Sequence, residues 1–168
     1  MFETERLKFK VLDSKYKEDL ERLFCENHLV MKSTLKGRVF TQEEFKTLIN
    51  NHFINSKHDK VGLWCLTSHK DNKLIGVSGL LKCDYVNRVA YEFGFILNDK
   101  HWGKGLATEI GQFWLNMAKK DMHLTELLAM VSPDNKASRN VLEKLNMTCV
   151  DEVMTKERGS RLIYKKDL

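Results

Sequence analysis

The sequence predicts an α/β fold, a mixed sheet flanked by helices with one strand–helix–strand crossover. Two observations carry this. Short apolar or alternating runs of strand length recur between turn residues, and longer segments place apolar residues at helical spacing. Their order reads β-α-α-β-β-β-α-β-α-β-β. With 168 residues, one proline and no repeat or low-complexity stretch, residues 1–168 are expected to form a single domain.

Residues 6–11 alternate, with Leu7, Phe9 and Val11 on one side, the period of a half-buried strand. Asp13 and Ser14 then offer a cap to a helix carrying Tyr16, Leu20, Leu23 and Phe24. Thr41 and Glu44 form a capping-box pattern and Phe40 with Phe45 a hydrophobic staple, ahead of a helical face of Phe45, Leu48, Ile49 and Phe53. The stretch 28–39 between these helices reads as irregular and would make a substrate-entry lid. Residues 63–67 and 74–81 read as strands around the Asp71–Asn72 turn. Residues 89–97 form a long strand with Gly94 inside it, which points to a bulge or a close backbone approach.

From Lys104 the period becomes helical, with Leu106, Ile110, Phe113, Trp114 and Met117 in one stripe. Residues 127–131 form a short buried strand closed by Ser132–Pro133. Asp134 or Asn135 caps a helix with Ala137, Val141, Leu142 and Leu145 inward, ended by Asn146. A hairpin of 148–157 and 161–166, turning at 158–160, completes the chain. Trp114, Phe45, Phe53 and Trp64 read as core.

Bulk properties exclude several classes. Hydrophobic content of 42% and charged content of 30% are those of an ordinary globular protein. The start, Met1-Phe2-Glu3-Thr4-Glu5, lacks the basic and apolar regions of a secretory signal, no apolar run is long enough to span a membrane, and no membrane association is expected. Cys25, Cys65, Cys83 and Cys149 have no zinc or redox spacing and read as free thiols in a reducing cytoplasm. His28, His52, His58, His69, His101 and His123 show no ligand spacing, so no metal is expected. The net charge of +5 is spread along the chain, suiting a small polyanion as well as a nucleic acid.

Chemistry concentrates at Trp102-Gly103-Lys104-Gly105-Leu106-Ala107-Thr108, where a strand gives way to a helix. The first amides of a helix lack intrahelical partners, and the macrodipole adds positive potential there. Glycines at 103 and 105 let phosphate oxygens approach the backbone, and Lys104 adds a cation. A Walker loop is absent, and a dinucleotide fingerprint would place glycine where Thr108 stands. Taken alone, two glycines also fit a strand-to-helix connection that binds nothing.

The stretch from Tyr91-Glu92-Phe93-Gly94-Phe95-Ile96-Leu97 through Trp102–Glu109, followed by Asn135-Lys136-Ala137-Ser138 and Leu142-Glu143-Lys144-Leu145-Asn146-Met147, resembles the GNAT N-acetyltransferase superfamily, and within it the ribosomal-protein-alanine N-acetyltransferase branch. The resemblance implies an acyl-CoA N-acyltransferase fold, a mostly antiparallel sheet with a central splayed parallel pair. It implies acetyl-CoA as co-substrate, with amides of Gly103, Lys104, Gly105, Leu106, Ala107 and Thr108 on the pyrophosphate and Trp102 where the family has Gln or Arg. Pantetheine would pair with Phe95, Ile96 and Leu97, and Asn135 and Ser138 would reach the cofactor from the far wall.

Direct transfer to an amine in a ternary complex needs a group to take the amine proton. Glu92 is the candidate: it lies on the strand face of Ala90, Gly94 and Ile96, where desolvation would raise its pKa. It could equally be a solvated glutamate or one that binds a cationic substrate. The family's leaving-group tyrosine falls at Leu142, so Ser138 is the nearest hydroxyl, to protonate or hydrogen-bond the thiolate, or simply to cap or pack. The implied acceptor is a protein N-terminal α-amine or a small-molecule amine, the assembly a monomer or homodimer, and nucleic acid is met only through a ribosomal substrate. The alternatives are a non-catalytic acyl-CoA-binding regulatory module and a basic RNA-associated protein.

Overall fold

In the computed structural model, residues 2–54 and 60–168 are described; His58 lies outside them. The elements are β1 (Phe2–Glu3), β2 (Leu7–Lys10), α1 (Lys17–Glu21), α2 (His28–Met31), α3 (Gln42–His52), β3 (Gly62–Ser68), β4 (Leu74–Tyr85), β5 (Arg88–Leu97), α4 (Leu106–Lys120), β6 (Glu126–Val131), α5 (Lys136–Lys144), β7 (Thr148–Thr155) and β8 (Gly159–Asp167). One 8-stranded sheet runs β1-β2-β3-β4-β5-β6-β8-β7. Among the strands of the described residues, β5 and β6 alone pair with each other in parallel, joined by the α4 crossover. The expected α/β fold with its mostly antiparallel sheet is thus the observed one.

Side-chain alternation divides the sheet's two faces between two helical layers. Trp64, Leu66, Phe93, Leu97 and Leu127 pack with Ile110, Trp114 and Leu142 of α4 and α5. Cys65, Val77 and Ile96 pack with Leu20, Phe24, Met31 and Phe45 from the N-terminal helices. Phe24 joins that second layer, its ring 5.7 Å from Phe40 and 6.1 Å from Phe45. The capping box at Thr41 forms with both of its hydrogen bonds.

The differences from the sequence reading have local causes. Phe2 packs edge-on against Trp64 at 5.1 Å, tying down β1, which is too short to show a period. Asn27 caps Val30 N–H at 3.1 Å, so 28–31 forms a helical turn inside the stretch expected to be irregular. The final hairpin turns one to two residues early, with Gly159 at φ 66° already opening β8. Ala137 is exposed, since its methyl has little to gain from burial beside Leu142 and Leu145.

Gly94 marks no bulge between β4 and β5: their register is unbroken from Gly76–Leu97 to Tyr85–Arg88. The register shift lies between Leu66 and Thr67 on β3. The close approach belongs instead to Gly79, where a Cβ would collide with the Gly62 carbonyl oxygen, whereas at Gly94 it would meet nothing within 4 Å. Gly79→Ala should therefore cost about 1–3 kcal/mol, lowering the thermal midpoint by about 2–4 °C per kcal/mol. Gly94→Ala should change stability by no more than about 0.5 kcal/mol. Thermal melts of the two variants beside the parent check the contrast.

Candidate active site

The two parallel strands meet at a single pair, Glu92 with Leu128. Beyond it they part. Phe95, Ile96 and Leu97 stay paired with Ser78, Val77 and Gly76 of β4, but their β6 side has no strand partner among the described residues. A cavity of about 1080 Å³ occupies this gap and the space under the N-terminal helices. Glu92, Gly94, Ile96, Met130, Asn135, Ser138 and Leu142 line it, with Arg158 and Arg161 of the C-terminal hairpin. The alternation of β5 accounts for this: Phe93 and Leu97 turn to α4, so Glu92, Gly94 and Ile96 turn to the cavity.

Glu92 is half-buried, and its Oε2 is shut from solvent with no hydrogen-bond partner. Burial pushes its carboxyl above the ordinary value of 4.5, and the charge of Arg158 partly opposes the shift. A carboxylate in this state is poised to take a proton. The gap therefore contains both an unpaired strand edge and a desolvated carboxyl group.

The turn 102–105 lies past the end of β5 and outside the cavity lining. Gly103 and Gly105 have φ of 71° and 76°, a conformation strained for any side chain, which turns the chain into α4. No side chain caps α4, and the N–H groups of Gly105, Leu106, Ala107 and Thr108 have no acceptor among the described residues. This leaves a ready anion cradle. Lys104 Nζ donates to the Lys100 carbonyl at 2.7 Å, bent back across the turn. The bend between β1 and β2 holds the turn: Arg6 Nη1 donates to the Lys104 carbonyl at 2.7 Å and Arg6 Nε to Glu109 at 2.6 Å. Thr4 Oγ1 donates to the same carboxylate at 2.5 Å.

Trp102 uses its polar edge within the protein. Its indole N–H donates to the Leu97 carbonyl at 2.9 Å, so its polar edge closes the end of β5 while its ring remains 46% exposed. Leu97 thus brings to the open edge a carbonyl already in use. Asn135 is similarly engaged: its Oδ1 accepts from Ser138 N–H at 3.1 Å and its Nδ2 donates to the Ser33 carbonyl at 3.2 Å. It caps α5 and ties down the loop after α2. Ser138 keeps its hydroxyl without a protein partner among the described residues, and it lines the cavity beside the buried Leu142.

Three further residues have no signal in the sequence. Ser78 is fully buried, accepting from Trp114 Nε1 at 2.8 Å and donating to the Gly94 carbonyl at 2.6 Å. It fixes β5 to α4 at the cavity floor, and nothing marks a lone serine within a strand. Arg158 and Arg161 lie at a hairpin turn, where arginine is commonplace. Only the fold brings them opposite Glu92.

Comparison with known proteins agrees with this geometry. The acetyltransferase (GNAT) domain family matches residues 6–148. The uncharacterised protein YkkB of Bacillus subtilis is 27% identical over 146 residues, 86% of this chain and 83% of its own. A GNAT-family acetyltransferase from Bacillus anthracis is 25% identical with a TM-score of 0.77, covering 98% of this chain and 96% of its own. Spermidine N-acetyltransferase from Vibrio cholerae, solved with CoA and spermine, shares the fold at a TM-score of 0.75 and 16% identity, over 98% and 96% of the two chains. The match spans most of the chain, including the split strands and the glycine turn: this protein belongs to the GNAT acetyltransferase family.

Proposed function

We propose that this protein is an acetyl-CoA-dependent N-acetyltransferase that moves an acetyl group directly to a primary amine, on a protein N-terminus or a small molecule, within a ternary complex. The observation that carries this reading is the gap beyond the Glu92–Leu128 pair, which places a free strand edge and a desolvated carboxylate in one cavity. The residues present fit the cofactor: the glycine turn has open space where a Cβ at Gly103 would stand, and the start of α4 is uncapped.

Acetyl-CoA supplies the activated acyl group as a thioester. The amides of Gly105 to Thr108, with the α4 dipole behind them, hold the pyrophosphate, and Gly103 and Lys104 shape that cradle. The β6-facing N–H and C=O of Phe95 and the N–H of Leu97 hydrogen-bond the pantetheine amides, because alternation turns the main chain of Ile96 to β4, and the exposed ring of Trp102 covers the approach. Asn135 holds the start of α5 so that the free hydroxyl of Ser138 donates to the leaving sulfur. Glu92 takes the proton that the amine must lose, directly or through water. Four free cysteines suit a reducing cytoplasm, and no helix among the described residues is long and apolar enough to cross a membrane.

Two variants test the two halves of this reading. Gly105→Val should weaken acetyl-CoA binding at least tenfold by calorimetry while the fold survives, because left-handed strain costs about 1–2 kcal/mol; unchanged affinity would overturn the pyrophosphate placement. Glu92→Gln should lower amine acetylation about 10²–10⁴-fold with acetyl-CoA affinity retained, and undiminished turnover would remove Glu92 as the base.

Glu92→Gln carries a stability signature as well. A carboxyl whose folded pKa is raised binds protons more readily folded than unfolded, so its contribution is most favourable below its ordinary value of 4.5 and is lost as pH rises through the folded pKa. The variant escapes that loss. Relative to the parent it should gain stability above the folded pKa, and the gain should vanish at low pH. Paired thermal melts across pH read this difference.

A further inference from the structure

Two arginines, Arg158 and Arg161, line the cavity. Arg158 stands in the turn before β8, its backbone N–H donating to Thr155 Oγ1 at 3.0 Å. Its Nε is shut from solvent and has no hydrogen-bond partner. Arg161 is only 7% exposed. Its Nη1 and Nη2 donate to the carbonyls of Ser160 and Leu35, both at 2.8 Å, which aim the group but leave its charge uncompensated. Burial first, and then the charge of Arg158, push its pKa down. Neither arginine forms an ion pair among the described residues.

Buried charge without a counter-ion is costly, and an open guanidinium fork is shaped for a carboxylate. In the same cavity stands Glu92, close enough to feel the field of Arg158 yet keeping an unpartnered oxygen. An acid and a base that share a cavity without joining are complementary to a ligand carrying both opposite charges. The phosphates of a cofactor are not the natural partner of Arg158, because the uncapped glycine turn lies outside the cavity lining.

We infer that the acceptor is an amine that also carries a carboxylate, with its amino group toward Glu92 and its carboxylate on Arg158. Arg161 positions this wall by latching β8 to the loop at Leu35. The assignment of the amine rests on the acetyltransferase reading, whereas the carboxylate rests on the arginines alone. Free α-amino acids and peptides with an acidic residue near the N-terminus both present this chemistry.

The test reads binding separately from turnover. Calorimetry on the CoA-saturated protein compares free amino acids with their carboxamides, and the amidated dipeptides Ala-Asp and Ala-Asn with each other. At least one carboxylated amine should bind tenfold or more tightly than its neutral twin; which pair shows it distinguishes an amino acid from a peptide. Arg158→Gln should erase that preference and leave acetyl-CoA affinity unchanged, and Arg158→Lys should restore part of it. Equal binding of charged and neutral twins, no binding of any carboxylated amine, or weakened acetyl-CoA binding in Arg158→Gln would each overturn the inference. Carboxylate-selective binding without acetylation would sustain this ligand class and overturn the acetyltransferase reading. Acetylation of the neutral twins alone would do the reverse.

Discussion

A parallel strand pair that separates after one residue pair must leave main-chain donors and acceptors without a neighbour. Buried groups of that kind are tolerated only where something else completes them. The gap beyond Glu92 and Leu128 imposes this condition, and the rest of the molecule is organised around it. The α4–α5 layer closes the sheet from one side. The N-terminal helices stand off on the other, and the space they leave is the cavity. Glu92 is desolvated because it sits at the point where the strands part.

The gap would be useless if its walls drifted, and the walls are pinned from outside the cavity. Trp114 reaches from the core of α4 to Ser78, which holds the Gly94 carbonyl, so the position of β5 is referred to the most buried helix. Arg6 and Thr4 converge on Glu109 in the first turn of α4. Burial pushes that carboxyl up, but the hydrogen bonds from Thr4 and Arg6 outweigh it and hold Glu109 below its ordinary range. Glu109 is therefore an anion across the ordinary pH range, anchoring the bend between β1 and β2 at the glycine turn. The Arg6 guanidinium pairs with that charge at 2.6 Å.

How much of this was legible in the sequence depended on whether a residue's role is local. The turn at 102–108 could be read as a strand-to-helix connection, though without its left-handed φ values, because its glycines and the start of the helical period lie within a few residues of one another. The Thr41 capping box and the cap at Asn135 were legible for the same reason. The facing of Glu92 followed from strand alternation alone. Trp102 was not legible, because the acceptor of its indole N–H is a carbonyl at the end of β5, presented to it by the turn of Asp99–His101. Gly94, read as a bulge or a close backbone approach, is neither within the chain. A glycine within a strand has several causes, and only the register and its neighbours separate them. Arg158 and Arg161 escaped notice because their meaning lies in what faces them across the cavity.

Besides the ion pairs of Lys36 and Arg38 with Glu44, the loop after α2 takes two grips, from Asn135 on the α5 wall and from Arg161 on the hairpin wall. Both grips are on main-chain oxygens, those of Ser33 and Leu35. Every residue type supplies such an oxygen, so the tethers place little demand on which side chains the loop carries. The loop can exchange side chains that line the cavity at Ser33 and Leu35 while its path is kept. Substitution at Ser33 or Leu35 is thereby separated from loss of the loop's path, since neither grip involves their side chains.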